Sequence, residues 1–186
     1  MNVFDFDKTI YDGDSTVRFY MFELRQHPRL WLGLPRVVGA GALYGLRIWP
    51  RDRFKAALYA SFLPRIDVTC EVKDFWAKEQ HRIKPWYLKL KQPSDLISSA
   101  SPEFLIQPIG KILGVSVHAS KVDTKTGRLL AANNRDHEKV KRFKSAYKNE
   151  EINQFYSDSL ADTPLAKLAK EAFIVRGNNI SPWPPF

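Results

Sequence analysis

Asp5 and Asp7 stand two residues apart at the end of the short apolar run Val3-Phe4-Asp5-Phe6, and Lys8 and Thr9 follow them directly. In an extended strand, residues i and i+2 point the same way, so both carboxylates face one site. Two like charges held that close need a cation between them, or one must keep a proton. Either arrangement serves chemistry: one carboxylate can attack while the second gives or takes a proton. An Asp-x-Asp pair alone is common where a strand ends in an acidic turn. Its weight here comes from the groups that follow it along the chain.

The elements needed to position these acids are legible in outline. Residues 2–6 read as a buried strand and 15–26 as a helix of rather even apolar character. Pro28, Pro35 and Pro50 punctuate the next stretch, and 51–91 is helical with breaks at Pro64 and Pro85. Asp95-Leu96-Ile97-Ser98 is a short strand. Pro102 suits the first turn of a helix that runs to Leu113 and stops at Gly114. Residues 115–119 alternate like a strand, 123–127 turn, and 128–132 read as a returning strand. A basic helix over 137–147, a strand over 152–156, a helix over 160–170 and a last strand over 172–175 complete the pattern. The tail Ser-Pro-Trp-Pro-Pro-Phe should be extended. Strands alternating with helices define an α/β chain with a mostly parallel sheet. The stretch 14–91, between strand one and strand two, is too long for a single crossover and reads as an inserted helical cap.

Reactive groups in open parallel sheets gather at the carboxyl ends of the strands. The first end supplies Asp5, Asp7 and Thr9, and the second Ser99 and Ser101. A helix opening His137-Glu138-Lys139 comes next, then Tyr156-Ser157-Asp158-Ser159-Leu160-Ala161-Asp162. Ser101 is the better candidate to cap the helix after Pro102. Lys141 and Lys144 are alternatives to Lys139, His137 reads as a structural or surface residue, and Asp162 also suits the first turn of a helix.

In this order the groups resemble the haloacid dehalogenase-like phosphatase superfamily, in the branch with a helical cap after the first motif. Asp5-Phe6-Asp7-Lys8-Thr9 matches that family's Asp-x-Asp-x-Thr, and Ser99 matches its Ser or Thr at the second strand. Lys139 matches its lysine, and Asp158 with Asp162 its terminal acidic pair. The resemblance covers most of the chain, and four motifs in sequence are far more specific than any one. It implies a Rossmann-like core over 1–13 and 92–186, with the cap at 14–91. It implies that Asp5 attacks phosphorus to form an aspartyl phosphate, and that Asp7 protonates the leaving oxygen and then activates water. Ser99, Lys139 and Thr9 would hold phosphoryl oxygens. Asp5, Asp158 and the backbone carbonyl of Asp7 would bind Mg²⁺, with Asp162 in support. Lys8 departs from the Gly or Ser of many relatives, and Ser157 from a frequent Gly. Asp7 argues against the dehalogenases themselves, which lack the second acid and the metal.

Within that superfamily the cap usually selects the substrate. Phosphoserine phosphatases place a Glu nine residues after the nucleophile to meet an ammonium; here the position is Asp14. Phosphatidylglycerophosphatase C-like proteins resemble this chain at that Asp, in the Tyr-Ser-Asp-Ser last motif, in His-Glu-Lys-Val and in the apolar, Pro-punctuated stretch early in the cap. The resemblance therefore implies a phospholipid headgroup or another phosphorylated small molecule as substrate, with Arg47 and Arg51 as cap candidates alongside Asp14.

Composition adds bounds. The 186 residues suit one domain or a core with an insertion, and 44% hydrophobic content with five Trp suffices for a real core. The single cysteine, Cys70, excludes an intramolecular disulfide and fits a reducing, cytoplasmic setting. Acids from position 5 onward do not suit a secretory leader. The net charge is +9, and residues 25–55 hold seven Lys or Arg against the lone acid Asp52. The apolar, aromatic stretch 30–49 lies inside that basic segment. Arg36 and Arg47 interrupt it, so it suits an anionic membrane surface, at the inner face, better than a full crossing. A nucleic-acid binder would explain the charge but not the ordered acids, and no recognition motif is present. A catalytically silent scaffold would leave Asp5, Asp7, Lys139 and Asp158 without purpose.

Overall fold

The computed structural model describes residues 1–185. Six strands form one sheet: β1 (Val3–Phe4), β2 (Leu96–Pro102), β3 (Ser116–Ser120), β4 (Ile152–Ser157), β5 (Ala169–Arg176) and β6 (Asn179–Pro182). Their order is β3-β2-β1-β4-β5-β6; every pairing is parallel except the edge pair β5–β6. The short β1 therefore lies in the middle, with Val3 opposite both Leu96 and Phe155.

Alternation along the strands sorts side chains between two apolar layers. Phe4, Ile97, Tyr156 and Val175 face one layer; Val3, Leu96, Phe155 and Ile174 face the other. Helix α6 (Glu103–Leu113) packs in the first layer through Leu105, Ile106 and Ile109. Helices α7 (His137–Ala146) and α8 (Thr163–Ala166) cover the second through Phe143 and Leu165. Strands covered on both faces read as continuous apolar runs, which is why the sheet was recognisable.

Between β1 and β2 the chain passes through five α-helices, α1 (Ser15–Gln26), α2 (Leu34–Gly45), α3 (Arg51–Phe62), α4 (Val68–Glu79) and α5 (Pro85–Leu90), with three short 3₁₀ segments between them. Asp14 caps α1 by accepting from the Val17 amide, and Asp67 caps α4 by accepting from Thr69 and Cys70. The first apolar layer runs unbroken from the sheet into this segment, joining Phe4, Phe6 and Leu105 to Phe19, Phe62, Phe75 and Trp76. The Trp76 indole N–H donates to the Leu105 carbonyl at 2.7 Å, tying α4 to α6. Arg18 of α1 grips Glu79 of α4 with two hydrogen bonds, and the Tyr11 hydroxyl donates to the same carboxylate. No helix among the described residues is long and apolar enough to cross a membrane.

Four local expectations change. Only Val122 and Leu129 bridge in the returning strand expected over 128–132, because that ribbon has no sheet neighbour to extend it. The helix expected over 160–170 is a 3₁₀ turn, Leu160–Asp162, plus the single turn of α8. The chain must reverse at once so that Ala169 can pair with Ile152. Ser101 does not cap α6, whose N-cap is Pro102 without a side-chain bond. The tail expected to be extended begins inside β6, paired back on β5 through a Gly177-Asn178 turn, and residues 183–185 after it carry no regular secondary structure. Gly and Asn between two short strands are a hairpin signal the sequence already carried. Phe186 lies outside the described residues.

Candidate active site

The carboxyl ends of β1, β2 and β4 open on a cavity of about 340 Å³. β1 ends where the chain turns sharply: the Ile10 and Tyr11 amides both donate to the Phe6 carbonyl. The buried Lys84 ammonium pins that turn from outside by donating to the carbonyls of Lys8 and Gly177. Lys8 itself sits at φ 59°, a left-handed conformation that costs a side-chain-bearing residue energy and costs glycine none.

Asp5 is 8% exposed. One carboxylate oxygen accepts from the Lys139 ammonium at 2.6 Å, and the other accepts a long 3.4 Å bond from the Thr9 hydroxyl. Lys139, nearly wholly buried on α7, donates also to Asp162 at 2.7 Å, and Ser157 donates to the same Asp162 oxygen at 2.8 Å. Asp7 accepts from the Ser15 amide at 2.6 Å and, on its other oxygen, from the Ser101 hydroxyl. Asp158 donates its amide to Thr9, so Thr9 links the ends of β1 and β4.

Asp5, Asp7, Asp14, Arg51, Lys139, Asp158 and Asp162 all line the cavity. Thr9 and Ser99 are fully buried and lie outside its lining; Ser99 spends its oxygen accepting from the Ser101 amide at 3.0 Å. Arg47 stays apart, exposed on the turn after α2 at φ 59°. Sequence reasoning did not assign several wall residues to the site, among them Ser101, Lys55 and Arg135. Ser101 had been given to a helix cap. Lys55, in the sequence only one of the seven cations of residues 25–55, is buried and donates to Ala100 O and Asn133 Oδ1. Arg135 carried no signal of its own. The Asn133-Asn134 doublet was a visible one: Asn134 donates to the carbonyls of Ser99 and His118 and so ties β2 to β3.

Crowded acids in a buried place resist ionisation. Burial pushes Asp5 up to about 7, aided by Asp162 and Asp158 and opposed by Lys139. Burial and then Asp14 push Asp7 up to about 6, against the hydrogen bonds from Ser101 and Ser15. Asp158 is also raised, chiefly by burial. For Lys139 burial opposes the charge, but Asp162 and Asp5 outweigh it and hold the ammonium protonated. Lys55 is lowered to about 8 by burial and by Arg51. Such a site can supply a nucleophilic carboxylate, a proton donor near neutral pH and several cations for an anionic group.

The sequence profile of the haloacid dehalogenase-like hydrolases matches residues 3–167, and the chain belongs to that family. No curated protein matches it significantly. Among solved structures it resembles a protein of unknown function from Bordetella pertussis Tohama I, with TM-score 0.75, 16% identity and coverage of 92% of this chain and 87% of that one. It also resembles a phosphoserine phosphohydrolase-like protein from Francisella tularensis, with TM-score 0.56, 18% identity and coverage of 92% and 86%. A phospho-aspartyl intermediate analogue of phosphoserine phosphatase aligns with TM-score 0.55 and 15% identity, over 91% of this chain and 83% of that one. At these identities the likeness concerns the fold.

Proposed function

We propose that this hydrolase is a Mg²⁺-dependent phosphomonoester phosphatase working through an aspartyl phosphate on Asp5. The observation that carries the reading is the Lys139 ammonium lodged between Asp5 and Asp162 on the wall that Asp7 and Asp158 share. The Asp5 carboxylate attacks phosphorus; an O–P bond forms as the ester O–P bond breaks, and Asp7 passes its proton to the leaving oxygen. Asp7 then takes a proton from the water that hydrolyses the acyl phosphate, which returns Asp5 and releases phosphate. Lys139 holds Asp5 in line, and Arg51, Lys55 and Arg135 on the same wall favour a dianionic group.

The donor set fits a hard divalent ion: carboxylates of Asp5 and Asp158 with the carbonyl of Asp7, in a place where burial and neighbouring acids, Asp162 among them, already raise Asp5 and Asp158. When bound, Mg²⁺ supplies positive charge that offsets repulsion between an anionic nucleophile and an anionic substrate. In this reading residues 14–91 act as the cap. Ser99 and Thr9 support the site from behind, and Asp162 orients Lys139.

For the substrate, the anionic headgroup of a phospholipid such as phosphatidylglycerophosphate is favoured by the cations above and by Tyr44, Phe54 and Leu58 beside them. A cavity of about 340 Å³ is at the small end for ligand sites, so acyl chains would remain outside it. A phosphoserine-like metabolite is favoured instead by Asp14 on the cavity wall and by the phosphoserine phosphatases among the fold neighbours. Hydrolysis of p-nitrophenyl phosphate with Mg²⁺ tests the class. Activity should vanish with chelator and fall at least about a thousand-fold in Asp5→Asn; full activity in that variant rejects the mechanism. Comparing phosphoserine with phosphatidylglycerophosphate then separates the two substrates.

A further inference from the structure

Away from the cavity, one buried acid has no hydrogen-bond partner among the described residues. Glu23 of α1 is fully buried, and neither of its carboxylate oxygens has a hydrogen-bond partner. An ionised carboxylate in such a place is costly unless it is paired or bound to a metal. Around it stand His27, one helical turn further along the same face, and Glu71 in the first turn of α4. The His27 Nε2 lies 2.8 Å from Glu71 Oε1 and 3.5 Å from Glu23 Oε2. That nitrogen carries at most one hydrogen, and the nearer carboxylate takes it. A His27–Glu71 pair at the α4 N-terminus therefore needs no further explanation, but it leaves Glu23 unserved.

We propose that Glu23, His27 and Glu71 form a metal site for a divalent transition ion of the zinc class, clamping α4 against the end of α1. Their ligand atoms all lie within 4.8 Å of one another. Zn²⁺ bonds of about 2.0–2.2 Å give ligand-to-ligand edges of roughly 3.3 Å in a tetrahedron, close to the separations from His27 Nε2. One imidazole with two carboxylates suits zinc better than magnesium or calcium, which prefer oxygen alone. Gln26 donates to the far oxygen of Glu71 at 3.2 Å, which leaves Oε1 turned toward the site. Burial, reinforced by Glu71, raises Glu23 to about 8, so binding displaces a proton from the buried acid. Three protein ligands leave a fourth position for water.

The test is a titration of the whole 186-residue chain, stripped with chelator, with Zn²⁺ in an Asp158→Asn background, which weakens the competing oxygen site in the cavity. Calorimetry should report one ion per chain. The melting temperature should rise by about 5 °C at roughly hundred-fold excess over Kd. Glu71→Gln and His27→Gln, both at partly exposed side chains, should each weaken binding at least about ten-fold, while Cys70→Ser, which removes an exposed thiol, should leave it unchanged. Co²⁺ should give the intense visible bands of four-coordinate geometry, lost in the same two variants. Equal Zn²⁺ affinity in the wild type and both variants, or no binding at all, overturns the proposal.

Discussion

The Ser101 hydroxyl and Lys55 ammonium show how much of this site depends on groups that do not attack phosphorus. Ser101 donates to Asp7 and meets the hydroxyls of Ser15 and Thr16, so it orients the acid proposed to move protons. A hydrogen bond to a charged group contributes about 1.5–3 kcal/mol, so Ser101→Ala should lower kcat by roughly ten- to hundred-fold with little change in KM. Steady-state kinetics decides the point, and a pure KM effect would assign Ser101 to substrate binding instead. Lys55 acts through charge. Burial lowers it to about 8, so above that pH it becomes neutral and its attraction for a dianion disappears. KM for a phosphate ester should therefore rise as pH climbs through about 8. In Lys55→Gln, KM should be high at pH 7 already, without the inflection. The same shift affects stability with the opposite trend. The folded chain releases this proton before the unfolded chain does, so the cost of burying the charge is present below about 8 and fades between there and the ordinary lysine value.

Helix α3 brings Arg51, Phe54, Lys55 and Leu58 to the cavity, and the turn ending at Gly127 holds it there. The Gly127 amide closes that turn on the Asp123 carbonyl at 2.7 Å, while the Asp123 side chain accepts from Lys125 and Thr126. Gly127 has φ +74°, and a Cβ there would lie 2.3 Å from the Ala60 nitrogen in the α3 backbone. No side-chain rotation relieves a clash with backbone. Gly127→Ala should cost roughly 2–4 kcal/mol in denaturant unfolding and raise KM through displaced Lys55. Retained stability would mean that α3 moves freely against the turn.

Viewed whole, the molecule has six of its nine surplus positive charges in the segment 25–55. Trp31, Leu32, Val38, Leu46 and Ile48 are exposed across the stretch from the end of α1 to the start of α3, among Arg36, Arg47 and Arg53. Scattered apolar residues on a surface need no explanation, but a basic, apolar segment that lends Tyr44 and Arg51 to the cavity wall suits an anionic interface. Each cation near such a surface contributes about 1 kcal/mol. Co-sedimentation should show binding that strengthens with the fraction of anionic lipid, weakens with salt, and falls in the double variant Leu46→Glu with Ile48→Glu. Equal binding to neutral vesicles would count against an electrostatic interface.

The alternating pattern of a parallel α/β sheet, the pair of aspartates just after the first strand and the long helical excursion after them are local properties, and the sequence by itself determined them; the strand expected over 2–6 closes at Phe4, so it is the turn beyond it, and not a shared strand face, that brings Asp5 and Asp7 to one cavity. Strand periodicity and helix signals act over a few residues and need no partner to be read. The choice among chemically equal neighbours was different. Lys139, Lys141 and Lys144 share one basic helix, and only the docking of α7 on the sheet turns the first toward Asp5. Ser99 and Ser101 share one strand face, and the shift in register between Ser98 and Pro102 accompanies the arrangement in which Ser101, and not Ser99, lines the cavity. Glu23 is merely one polar residue in a rather evenly apolar helix until α4 closes over it. Those outcomes depend on contacts between residues far apart in the chain, which no local pattern encodes.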